Sequence, residues 1–179
     1  MGRKSGWRTA AVKGAIEVLD PMGQSHLRIT HQPSGTNATW HPEKAGRIPR
    51  DAECLIETPW GEQVTSATAK DTPIRRKSAL REVTLGSRRF VYRHTSDRRS
   101  VVERDGLQIA AVHKSWQHVW SGRRPSFRDL GFTMDAPPTL DPFDEAVIVA
   151  FAAVIGTPGH EGAFTSICRF VPLLVLEGP

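Results

Sequence analysis

Apolar and polar residues alternate in short runs along much of this chain, and most runs break at residues that favour turns. Gly14-Ala15-Ile16-Glu17-Val18-Leu19 runs into Asp20-Pro21-Met22-Gly23, and Ser25 to His31 then places Leu27 and Ile29 on one face. That pattern predicts a hairpin. Its exit, Gln32 to Arg50, is rich in Pro, Gly, Asn and His and reads as a long loop with Trp40 as an anchor. A second hairpin is predicted from Glu53–Thr58 and Glu62–Thr68, joined by Pro59-Trp60-Gly61. The clearest repetition follows. Leu80–Leu85, Arg88–His94, Ser100–Arg104 and Leu107–His113 are four strand-sized runs, broken at Gly86-Ser87, at Thr95–Arg98 and at Asp105-Gly106, the strongest two-residue hairpin signal in the chain. A further strand is expected around Trp116, Val119 and Trp120. Strand-sized runs at intervals of about 8–12 residues indicate a β-sandwich or barrel.

One segment breaks this rhythm. Asp141 suits a helix N-cap and Pro142 the first helical position, where its missing N–H costs nothing. Asp144 and Glu145 put negative charge in the first turn, opposite the positive end of the helix dipole. Ala146 to Ile155 is then apolar at every position until Gly156. The β-branched residues of this run equally suit a buried strand, and the cap residues decide for a helix, which over 142–155 would be roughly 21 Å long, short of the ~30 Å bilayer core. With no polar face it has to be covered on all sides. In a β-rich chain the expected solution is an antiparallel barrel, or closed sheet, wrapped around it, which also removes the exposed sheet edges.

Composition changes the picture in one respect, the placing of charge. Residues 70–130 hold 15 Lys/Arg against 6 Asp/Glu, whereas residues 131–179 hold 1 against 6. A basic middle suits an anionic partner, the alternative being an ordinary solvated surface rich in arginine. The two cysteines, Cys54 and Cys168, lie far apart, and the basic start of the chain has no apolar run behind it. Unpaired thiols in a cytoplasmic protein, peripheral to a membrane surface, are the expectation.

The meander from Arg88 to His113, together with the Asp141-Pro142-Phe143-Asp144-Glu145 entry into Ala146–Ile155, resembles the tubby-like barrel superfamily, in particular its small bacterial LURP-one-related and phospholipid scramblase-like members. The resemblance implies an antiparallel barrel enclosing a hydrophobic helix, and a binding module as its role. It covers residues 10–156. Residues 1–9 are set apart as a flexible basic N-terminus. Residues 157–179, mostly apolar from Ala163 to Leu176, form a tail that the family pattern does not include.

Motifs for catalysis are absent. The chain has no Gly-rich phosphate loop, no HExxH and no GxSxG, and its histidines fall at no metal-ligand spacing. No catalytic residue, metal or cofactor is assigned. Arginine's planar fork suits two-point contacts to phosphate, so the basic groups at predicted turns are the candidate anion contacts. They are Arg75, Arg76, Lys77, Arg98 and Arg99. The expected function is a non-enzymatic binding or scaffold module for anionic phospholipid headgroups or a protein partner. Two alternatives stand beside it. One is a small-molecule binder or small enzyme with its site at the barrel mouth. The other is a nucleic-acid binder using Trp116, Trp120, Arg123 and Arg124.

Overall fold

A computed structural model describes residues 6–31, 53–68, 80–96, 99–114 and 132–156. Within them the chain is mainly β, with two antiparallel sheets and one buried helix. The first sheet contains β1 (Arg8–Val12), β2 (Ala15–Leu19), β3 (Ser25–His31), β4 (Cys54–Thr58) and β5 (Gly61–Val64), in that order. The second contains β6 (Ser66–Thr68), β7 (Leu80–Leu85), β8 (Arg88–His94), β9 (Arg99–Arg104), β10 (Leu107–Lys114) and β11 (Phe132–Asp135). Each strand pairs with its neighbour in sequence, so both sheets are meanders.

Both expected hairpins form, with Ile16 opposite Ile29 in the first and Ile56 opposite Gln63 in the second. The Asp105-Gly106 turn takes positive φ at both residues, 52° and 82°, the geometry of the tight hairpin turn that this dipeptide favours. Lys13-Gly14 does the same at 32° and 78°, and it joins β2 to a strand, β1, that the sequence pattern does not mark. β1 starts two residues before Ala10, and Trp7 ahead of it is buried.

The run after Pro59-Trp60 is not one strand of one hairpin. Its first half, β5, pairs with β4, and after Thr65 its second half, β6, pairs with β7 in the other sheet. The two sheets are therefore continuous through Thr65. They are not closed into a barrel, which corrects the expectation of a closed sheet. Burying both inner faces against a shared helix meets the same hydrophobic requirement without closure.

The helix is confirmed and its second half is unusual. Helix α1 spans Pro142–Val149, with Asp141 extended as N-cap and its Oδ1 accepting from the Phe143 amide at 2.8 Å. Ala150–Ile155 continues as a π-helix, ended by a Gly156 amide that donates to the Phe151 carbonyl five residues back at 2.8 Å. Ala146 to Ile155 are all buried. The helix packs against β2 and β3 of the first sheet. Toward the second, Phe143 meets Phe90 edge-on and Phe151 stacks flat on Tyr92 at 5.3 Å. The strand expected around Trp116–Trp120, the Gln32–Arg50 loop and the 157–179 tail lie outside the described residues.

Candidate functional site

Of the five candidate anion contacts, the described residues include Arg99, while Arg75, Arg76, Lys77 and Arg98 lie outside them. Arg99 is exposed at the start of β9. Its backbone is fixed by the preceding turn, since its amide donates to Ser96 Oγ at 3.1 Å and its carbonyl accepts from the Thr95 and Ser96 amides. Among the described residues no carboxylate lies within ion-pair distance of it. Strand register shows what stands beside it. Thr68 pairs with Leu80, Leu80 with Arg93, and His94 with Ser100. The points where the chain leaves and re-enters the second sheet around residues 69–79 are thus in one row with the turn that leads into Arg99.

The other arginines of the meander differ from Arg99, because most of them are held by carboxylates of the same domain. Arg89 grips Glu82 through Nε and Nη2, the latter at 2.9 Å, which holds the Glu82 carboxyl below its usual range. Arg93 donates from Nε to Glu103 at 2.9 Å across the β8–β9 pair. Arg88 reaches the helix entry, donating at 2.8 Å to both Asp144 and Asp141. Arg104 also binds Asp144, whose side chain is wholly buried. The N-cap carboxyl of Asp141 is held low chiefly by the Phe143 amide, with Arg88 adding to that effect against the opposing effect of burial. Phe143 lies under the Arg88 guanidinium, 5.7 Å from its carbon to the ring centre, and Trp60 packs edge-on against the same ring. These pairings fasten the helix N-terminus to the second sheet.

A second polar group marks the seam between the sheets. Arg81 is wholly buried, and its Nη1 donates to Thr65 Oγ1 at 3.1 Å and faces Cys54 Sγ at 3.6 Å. The Thr65 amide donates to the Cys54 carbonyl at 2.9 Å. Burial pushes the Cys54 thiol up, so it stays protonated and inert at neutral pH. Nearby in the register, His94 Nδ1 and Ser100 Oγ are 2.7 Å apart on paired positions of β8 and β9, both buried. A serine beside a histidine has the right types for nucleophilic chemistry, but here the two are cross-strand neighbours inside the sheet stack. The expected free thiol at Cys54 is seen, and Cys168 lies outside the described residues. Sequence reasoning missed both polar groups because their partners are far apart in the chain, as with Arg88 and Asp144, 56 positions apart.

No cluster of metal-ligating side chains occurs among the described residues, and no described helix is long and apolar enough to cross a membrane. No family model, curated protein or solved structure matches this chain.

Proposed function

We propose that this chain is a tubby-like module that captures anionic phospholipid headgroups, without catalysis, through a basic rim of Arg75, Arg76, Lys77, Arg98 and Arg99. The observation that carries the reading is the row of strand ends at one edge of the second sheet. Arg99 lies two strands from Leu80, about 10 Å at the usual strand spacing. Lys77 precedes Leu80 by three residues and Arg75 by five. Even a fully extended chain keeps them within roughly 10–18 Å of that anchor. That short reach in sequence from Leu80 and Arg99 supports a shared role for the five basic residues. Among the described residues no carboxylate pairs with Arg99, whereas Arg88, Arg89, Arg93 and Arg104 are occupied by internal carboxylates. The helix between the sheets takes up the interior that a ligand at a barrel mouth would need.

The test is co-sedimentation with phosphatidylcholine vesicles with and without phosphatidylserine, run beside a DNA gel shift. Each basic residue near an anionic surface contributes about 1 kcal/mol, so Arg75→Ala with Arg76→Ala lowers partitioning at least tenfold at low salt. Binding only to DNA moves the assignment to nucleic acid. Binding to neither leaves the charge as a solvated surface, and the reading fails.

A further inference from the structure

On the outer face of the second sheet, strand register sets three polar residues side by side. Arg99 of β9 is the partner of His113 of β10, and His113 is the partner of Thr133 of β11. Directly opposed residues of an antiparallel pair point to the same face, with Cβ atoms about 4.5–5.5 Å apart. Alternation along the strands shows which face this is. Ser100, Val112 and Met134, one position away on each strand, are paired with one another in the same way and are buried. Arg99 is exposed, and His113 and Thr133 are half-buried. The three form one contiguous row directed away from the core.

This row differs from the rest of the face in what its side chains bind. Arg93 is spent on Glu103 and Arg89 on Glu82. The side chains of Arg99 and His113 have no hydrogen-bond or ion-pair partner among the described residues. The Arg99 backbone is held by the turn at Thr95 and Ser96, so its guanidinium projects from a fixed point. Thr133, on the other side of His113, is short and uncharged. Asp135, the exposed carboxylate of β11, is a diagonal neighbour of His113 at about 7–8 Å, on the side away from Arg99. Within two sequence positions of the row, Arg98, Arg99 and Lys114 stand against Asp97 and Asp135, so the local balance is positive before His113 is counted.

We infer that Arg99 and His113 form a subsite for a phosphomonoester, the guanidinium taking two phosphate oxygens in its planar fork and the imidazole N–H a third. Imidazole offers an N–H whether neutral or protonated, so the ring is a donor in either state. A carboxylate has two oxygens, both used by the arginine fork, and a phosphodiester has two free ones. The additional donor is matched by a phosphate with three. The inference deepens the headgroup reading and rests on it for the source of that phosphate, a lipid headgroup; a soluble phosphate ester presents the same oxygens.

The test uses NMR of the whole chain. Sodium phosphate, and not sodium chloride at the same ionic strength, is expected to shift the Arg99 amide and the His113 ring signals. Arg99→Gln and His113→Val each weaken phosphate binding about tenfold, the effect of one charge-assisted hydrogen bond. Both keep the parent's melting midpoint, and if His113→Val lowers it, Arg99→Gln at its exposed position carries the comparison. Co-sedimentation separates the sources. Vesicles carrying phosphatidic acid, a phosphomonoester, are bound more tightly than vesicles carrying phosphatidylserine, and His113→Val removes the difference. Phosphate binding without attachment to either vesicle keeps the subsite, assigns it to a soluble phosphate ester and fails the headgroup reading. Equal attachment to both vesicles, unchanged by His113→Val, keeps the headgroup reading and overturns the subsite. Shifts that map away from Arg99 and His113, or that sodium chloride reproduces, overturn it as well.

Discussion

Asp144 has no solvent-exposed side-chain surface, and two guanidinium groups, each about one-third exposed, converge on it. A buried carboxylate is tolerable only with such partners, and here they also fix where the helix starts. Nearby and elsewhere, carboxyls are held below their ordinary range. For Asp141 the main cause is the Phe143 amide, and for Glu82 it is the hydrogen bonds from Arg89. At Asp20 burial pulls the other way, yet hydrogen bonds from Gln24, His26 and Met22 together outweigh it. A carboxyl whose folded pKa is depressed binds its proton more readily when unfolded. Its contribution is therefore complete above the unfolded value and is lost as pH falls through the folded one. Thermal midpoints should be level from pH 7 to about 5 and fall progressively below about 4. A midpoint unchanged from pH 5 to pH 3 would show that these bonds do not hold the fold.

Among the elements, the helix matters most to the core. Val149 is wholly buried at the end of its α-helical part, and Val149→Asp is expected to abolish cooperative unfolding, because it would place a carboxylate in a wholly apolar run of the core. A variant that melts like the parent would mean the segment does not fill the space between the sheets. This helix was legible from residue chemistry alone, since Asp141, Pro142 and the acidic first turn specify its start. Its change to π geometry at Ala150 was not, because a stretch apolar at every position looks the same at 3.6 residues per turn and at a wider winding. β2 and β3 were legible because buried and exposed positions alternate, whereas β1 reads Arg-Thr-Ala-Ala-Val, with one buried position and no large apolar alternation. β11 is only four residues long and stops just before Ala136-Pro137, too short for a period-2 signal. Of the candidate site, Arg99 could be placed from sequence beside a turn. That Arg88, Arg89, Arg93 and Arg104 would be consumed by internal carboxylates depends on strand register and on helix placement, which local patterns do not carry.

For the molecule as a whole, the decisive join is Thr65, the single residue between β5 and β6 at which the chain leaves the first sheet and enters the second. Arg81 lies across that join, bound to Thr65 and facing Cys54. Arg81→Ala removes a wholly buried long side chain and its hydrogen bonds, and is expected to cost at least about 3 kcal/mol in urea unfolding. Thr65→Val should cost less, about 1–2 kcal/mol, since the side chain keeps its shape while losing its hydroxyl. An Arg81→Ala protein within about 1 kcal/mol of the parent would show that the sheets are held together by the helix alone. The order of the elements also has a bearing on how the protein is made. Within each sheet every strand pairs with its neighbour in sequence, so the hairpins of each sheet can form as they leave the ribosome. The helix that both sheets pack against follows all eleven described strands. Until residues 141–156 have been synthesised, the inner faces of the described strands lack the helix they pack on, and the nascent protein presents apolar surface that a chaperone would have to shield. Closure of the two sheets on the helix then waits for translation to reach it, and a ribosome that stalls earlier leaves two open sheets prone to aggregate.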